Sequence, residues 1–368
     1  MVQTSVIDRG GASAPAGLSL AALILLGTRF TQGFIFWGGA TRRLIYDFHS
    51  VDGADKALKL DFDAPGFVAA KLTHALPGAL WVQGPIEWTL RHPDLIVASV
   101  WLWTFAELAV GVGLMLGLAT RAAAFASLWL NVVLMLIFGW MGSTCLDEWT
   151  MAVSGVAMSG AVVVAGGGAW SLDERYVMPA AWAQRAPWLA WICSGPLPGE
   201  TVRKLALWVS GAAIAFTLVT YHILFGAIVT PLHSRVTFHR HDIALTHAQL
   251  APDGALSFDA YVDAGPDTGA AYIVSAKLVD ASGTALAQWD GAALAALPTS
   301  AIRNGYPYVW ASKFKIERIG FSGQTGARAT ITLPPSAGAK LAPGQSYILV
   351  LEAIDGAKWQ TPVIASRL

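Results

Sequence analysis

Long apolar runs separated by short polar breaks fill the first two thirds of the chain, and a shorter rhythm takes over after Pro231. Five runs reach the roughly 20 mostly apolar residues that cross a bilayer as a helix: residues 18–40, 95–118, 121–140, 149–170 and 205–230. The first is too long for the core of a cleaved signal and holds Arg29 at its middle, so it reads as a membrane helix. Small residues recur in the fourth (Gly155, Gly160, Gly166, Gly167, Gly168) and allow close helix packing in lipid. The loop 41–94 places Phe67, Val68, Lys71, Leu72, Ala75 and Leu76 at helical spacing, and Pro85 to Arg91 makes another turn. That predicts short amphipathic helices on the outer membrane face, lidding the bundle.

Beyond Pro231, Leu256 to Asp263, Ile273 to Val279, Ala327 to Leu333 and Tyr347 to Ala353 alternate apolar and polar residues. Turn pairs separate them: Asp253-Gly254, Ser282-Gly283, Pro343-Gly344 and Asp355-Gly356. This pattern predicts a β-sandwich. The expected fold is therefore a membrane all-α bundle, four helices plus one extra transmembrane helix, followed by an all-β sandwich. Its parts are a disordered tail (1–17), a four-helix membrane domain (18–204) with the outer loop 41–94, a fifth helix (205–230) and the β-domain (231–368).

Composition agrees with a membrane protein. Of 368 residues 13% are charged, against roughly 25% in soluble domains, and mean hydropathy is +0.52. Zero net charge leaves no basic surface for nucleic acid. Two cysteines make no zinc or iron–sulfur cage, and no haem-attachment, dinucleotide or phosphate-loop motif occurs. The histidines His233, His239, His241 and His247 have no Cys or carboxylate at ligand spacing and read as a surface or docking feature rather than a metal site. The short-loop charges Arg9, Arg121, Arg175, Arg185, Arg203 and Lys204 fall on one side, which predicts a cytoplasmic N-terminus and an outer β-domain.

Three polar residues sit near the centres of their runs: Arg29, Glu107 and Asn131. A charge at mid-bilayer costs roughly 2.5–3.5 kcal/mol, so it faces inward and finds a partner. Arg29 and Glu107 are the expected ion pair, with Asn131 taking leftover hydrogen bonds. Either the pair only fixes helix register, or it lines a polar pocket that opens past Arg42, Arg43 and His49. The turn 139–151 packs Cys145, Asp147, Glu148, Trp140 and Trp149 between two apolar runs. It reads either as an interfacial Trp belt with a helix cap or as a nucleophile beside two acids.

Arg29-Phe30 with Gly33, Phe36, Gly39 and Arg42-Arg43, then Glu107 with Gly111, Leu116-Gly117-Leu118 and Thr120-Arg121, resemble the first two helices of DoxX/DoxD membrane proteins. The Gly-Trp-Met-Gly-Ser-Thr-Cys-Leu-Asp-Glu-Trp-Thr run resembles DoxD itself, and the part after Pro231 resembles DoxA. The resemblance to a fused DoxD–DoxA thiosulfate:quinone oxidoreductase implies oxidation of thiosulfate to tetrathionate. Electrons would pass to a diffusible or non-covalently bound quinone in the cell (inner) membrane, without metal or haem. On that footing Arg29, Arg42, Arg43 and His49 are expected to bind the substrate dianion. Cys145 is expected to bond substrate sulfur, and Glu107, Asp147 and Glu148 to carry protons. Trp140, Trp149 and Asn131 are expected at the quinone. Expected partners are thiosulfate, the quinone pool, lipid and a second copy of the chain. The rival readings are a non-enzymatic scaffold and an accessory that presents the β-domain to a separate redox enzyme.

Overall fold

The computed structural model describes residues 16–45, 59–142, 147–226, 228, 236–336 and 346–365. Most of the expected tail (1–15) lies outside them, as does His233. Four described helices are long and apolar enough to cross a membrane: α5 (Pro93–Leu116), α6 (Thr120–Phe138), α7 (from Asp147, the apolar part being Glu148–Ala165) and α8 (Gly199–Phe225). The first expected span is helical too, as α1 (Ala16–Ile24) and α2 (Leu26–Leu44), interrupted at Leu25. Arg29, Gln32, Arg42 and Arg43 make α2 much less apolar than those four.

The chain divides into two compact units that do not follow chain order. The first takes the described residues within Met1–Tyr46, Leu102–Val133 and Met151–Thr220, and the second those within Asp47–Trp101, Leu134–Thr150 and Tyr221–Leu368.

In the first unit α2 and α5 run antiparallel in near contact. A Cβ on Gly33 would stand 2.9 Å from the carbonyl of Gly111, and one on Gly111 would stand 2.6 Å from the amide of Trp37. Both clashes are with backbone, so glycine at each position is what permits this approach. Phe36, Val110, Leu114, Ala124 and Val162 fill the core between α2, α5, α6 and α7. The connector after α7 is tied down by two buried charges. Asp173 accepts the Ala119 and Thr120 amides at 2.8 Å each and the Thr120 hydroxyl at 2.7 Å, satisfying the amides that open α6. Arg121 donates to the carbonyls of Val163, Ala190, Cys193 and Gly195. Within this unit α8 leaves Leu207, Trp208, Ile214 and Leu218 exposed, a surface suited to lipid.

The second unit holds the β-domain, with strands β1 (Asp242–Leu250), β2 (Leu256–Ala264), β3 (Ala270–Asp280), β4 (Ala285–Trp289), β5 (Ile302–Asn304), β6 (Phe314–Ile316), β7 (Phe321–Gln324), β8 (Arg328–Leu333), β9 (Tyr347–Ala353) and β10 (Lys358–Ala365). The path β5-β8-β2-β1-β10-β9-β3-β7-β6, with β4 beside β3, folds over one apolar core. Its two halves join through a short parallel β1–β10 pair, Gln249 opposite Ile364, so the sheet is nearly closed. The anticipated turns at Gly254, Gly283 and Gly356 have φ of +86°, +84° and +85°, where glycine is unstrained. His239 and His241 precede β1 instead of sharing a strand face.

The loop helices form as α3 (Ala70–Ala75) and α4 (Gln83–Leu90). The residues flanking α3 and the apolar side of α4 pack on a segment of the β-domain: Phe67 and Leu76 on either side of α3, and Ile86 and Leu90 of α4, share a core with Tyr306, Tyr308 and Trp310. Tyr308 stacks on Trp310 at 4.8 Å and donates its hydroxyl to the Leu90 carbonyl at 2.8 Å.

Gly111→Leu is expected to push α2 and α5 apart. Overpacking typically costs about 1–3 kcal/mol, and here the clash is with backbone, which yields less than a side chain. A lower Tm by tryptophan fluorescence in detergent checks this; an unchanged Tm would mean the crossing is loose.

Candidate functional site

The α2–α5 register decides which charges meet. Gly33 faces Gly111, Gly39 faces Glu107 and Arg29 faces Gly117, so residue numbers fall on one helix as they rise on the other. Arg43 therefore reaches Glu107, and the two form an ion pair. Trp103, one turn before Glu107, donates its indole N–H to the other carboxylate oxygen at 2.6 Å. Gly39 lies against the same carboxylate, where a Cβ would stand 3.1 Å from it. Both members of the pair are largely buried, with side chains 12% and 9% exposed.

The expected Arg29–Glu107 pair is not made. Equal depth along separate apolar runs was the wrong measure, because antiparallel packing carries Arg29 toward Gly117, at the other end of the contact. There Arg29 is buried and donates to the Trp170 carbonyl at 2.7 Å, while its Nε and second terminal nitrogen have no acceptor among the described residues. Arg42 is exposed beside the pair and donates to the Gly38 carbonyl at 3.3 Å.

Asn131 is buried against Gly155 and donates to the Ser127 carbonyl at 2.8 Å. Next to it runs a polar chain that sequence reading missed: Gln32 donates to the Ser127 hydroxyl at 3.1 Å, and Ser127 and Ser159 share a hydrogen bond of 2.7 Å. Ser127 and Asn131 lie one helical turn apart, as do Gly155 and Ser159, and that spacing was the available signal. Trp103 and Glu107 carry the same i, i+4 signal.

In the second unit Trp140 is buried and donates to the Ala75 carbonyl at 2.9 Å. Trp149 sets its ring edge-on to Tyr221 and Phe225 at 5.1 and 6.3 Å. Glu148 is half-buried near the start of α7. Cys145, His49 and the Asp147 side chain lie outside the described residues. Among the described residues no cluster of three or more His, Cys, Asp or Glu could hold a metal ion.

The structure thus defines a membrane protein of apolar helices followed by a nearly closed β-domain, with a charged pair and a buried polar chain inside its helical unit. The family model of the TQO small subunit DoxD matches residues 25–207, and that of the TQO small subunit DoxA matches residues 225–362. The chain belongs to these thiosulfate:quinone oxidoreductase subunit families, joined in one polypeptide.

Arg43→Gln is expected to destabilise by about 3–5 kcal/mol, because it strands a buried carboxylate. Arg43→Gln with Glu107→Gln should recover most of the lost Tm; a double variant as unstable as the single one would show that the charges do not compensate each other. A second expectation concerns Cys193, which is buried. Burial and, secondarily, Asp173 push its thiol up to about 11. The thiolate is the reactive form, so alkylation of Cys193 should be slow at pH 8 and accelerate toward pH 11. Rapid labelling at neutral pH, read by peptide mass mapping, would contradict that burial.

Proposed function

We propose that the chain oxidises thiosulfate to tetrathionate and passes the electrons to membrane quinone. The observation that carries this reading is the union of both subunit families in one chain whose helical unit buries an Arg–carboxylate pair beside an exposed arginine. Two thiosulfate dianions join through a new S–S bond, and the quinone takes two electrons and two protons. Like charges must be brought together, and arginine forks suit oxyanions.

Arg42 and Arg43 offer those forks at the end of α2. An anion arriving at Arg43 competes with Glu107 for the guanidinium, so substrate binding loosens the carboxylate held by Arg43 and Trp103. Glu107 is then placed to carry a proton, with Asp147 and Glu148 as further carriers. Arg29, with two buried nitrogens that find no acceptor among the described residues, fits an oxygen acceptor. In this reading His49 assists the anion, and Asn131, Trp140 and Trp149 serve the quinone.

Cys145 is assigned the covalent step. Its thiolate bonds the outer sulfur of one thiosulfate, and the electron pair released reduces quinone. A second thiosulfate then attacks that sulfur, forms tetrathionate and frees the thiolate. The substrate side is the compartment that holds the β-domain, opposite the N-terminus.

The test is quinone absorbance in a mixture of purified chain, thiosulfate and a soluble quinone analogue, with tetrathionate measured as product. Right-side-out vesicles given thiosulfate only outside should be active. Cys145→Ser should abolish turnover, because a serine hydroxyl is a far weaker nucleophile at neutral pH. An active serine variant with no mass adduct on wild-type Cys145 would replace the covalent step by direct coupling of two bound thiosulfates. No quinone reduction by folded protein would overturn the oxidoreductase reading in favour of a scaffold.

A further inference from the structure

The exposed face of the sheet half built from β5, β8, β2 and β1 bears a groove that plays no part in the site above. It is about 480 Å³ in volume, and its polar lining includes Thr246, His247, Asp259, Tyr261, Arg303 and Arg328. Strand register explains the gathering. Thr246 stands opposite Asp259, Asp259 opposite Thr330, and Thr330 opposite Arg303, while Tyr261 stands opposite Arg328 in the neighbouring row. Directly opposed residues project to the same face, so two adjacent rows bring both arginines to one side.

The charges in the groove are unevenly matched. Asp259 is already engaged: one oxygen accepts the Thr330 hydroxyl at 2.7 Å, and the other meets His247 Nδ1 at 3.0 Å. Glu87 pairs closely with Arg91 at 2.6 Å and only loosely with Arg328, at 3.5 Å. Arg328 lies over the Tyr261 ring at 4.1 Å, and its buried Nε has no acceptor among the described residues. Arg303 is exposed, with no ion pair among the described residues. Burial holds the Tyr261 phenol up at about 12, so it keeps its proton as a donor. His247 lies between the shifted registers of β1 and β2 with φ of +50°, a conformation that non-glycine residues seldom adopt and that collects at binding sites.

We propose that this groove binds a small divalent sulfur oxyanion between the guanidinium groups of Arg303 and Arg328. The geometry suits such a ligand because, among the described residues, Arg303 and the Nε of Arg328 keep donors open, whereas Asp259 is occupied by its neighbours and Glu87 pairs mainly with Arg91. The choice of thiosulfate within that class rests on the proposed function; the site itself rests on the groove.

Arginine labelling by phenylglyoxal, applied to the full chain in detergent and mapped by mass spectrometry, tests it. Sodium thiosulfate is expected to slow labelling of Arg303 several-fold, and sodium sulfate should do likewise, since the donors address oxygens. Sodium chloride at equal ionic strength should not, and exposed Arg318 should be unaffected throughout. Arg328→Gln should remove the protection of Arg303. Arg303→Ala, at an exposed position without an ion pair among the described residues, gives the mirror test: thiosulfate no longer protects Arg328. Protection by chloride alone, equal protection at Arg318, or full protection surviving both substitutions would overturn the site. Quinone reduction is read separately. A protected but inactive chain keeps the groove and loses the reaction, and an active but unprotected one does the reverse.

Discussion

The close antiparallel crossing of α2 and α5 is the constraint on which the helical unit depends. It exists because Gly33 and Gly111 have no side chains to hold the backbones apart. Once the helices touch there, every other pairing along them is settled. Ten residues beyond Gly33, Arg43 comes to Glu107; four residues before it, Arg29 comes to Gly117. A buried carboxylate without its cation would be costly by several kcal/mol, so the small residues and the ion pair are one arrangement. Dispersion between the helices sets the register, and electrostatics penalises any other.

The same rule, that a charge withdrawn from water must be answered by fixed partners, is applied differently at the connector. Asp173 and Arg121 are both buried; Asp173 is satisfied by two backbone amides and by the Thr120 and Ser194 hydroxyls, and Arg121 by backbone carbonyls. Asp173 answers amides left open where α6 begins, and Arg121 gathers carbonyls from α7 and from the connector. Such a pattern fastens chain to chain and leaves few donors or acceptors for a ligand. Arg29 is the contrast, since its buried donors are only partly used.

Much of this was legible in the sequence. The long spans came from apolar length alone, and β2, β8 and β9 from strict alternation between glycine turns. Strands β4 to β7 escaped because they are short, and β10 because Pro362 interrupts its pattern. Glu107 was visible as a charge in an apolar run, but its partner was not. Pairing by depth treats each run as an isolated rod, whereas the partner follows from helix direction and from the glycines that set the contact. Arg121 was counted as a loop charge because it lies at the start of its run, and nothing local in the sequence shows that carbonyls seventy residues later enclose it.

The arrangement of the second unit bears on why the two families share one chain. The DoxD match covers the loop after α2, and the DoxA match covers the segment 306–311. Phe62 and Phe67 from the loop stand edge-on or tilted against Tyr308 and Trp310 at 5.2 to 5.9 Å. The Thr73 hydroxyl bonds Ser312 at 2.9 Å, and Gly326 lies so close to the Thr73 carbonyl that no side chain fits there. Buried aromatic residues form the centre of this packing, with Lys71–Asp267 and Arg328–Glu87 at larger exposure around them. Fusion therefore adds to packing that already joins the DoxA part to the DoxD loop within the second unit.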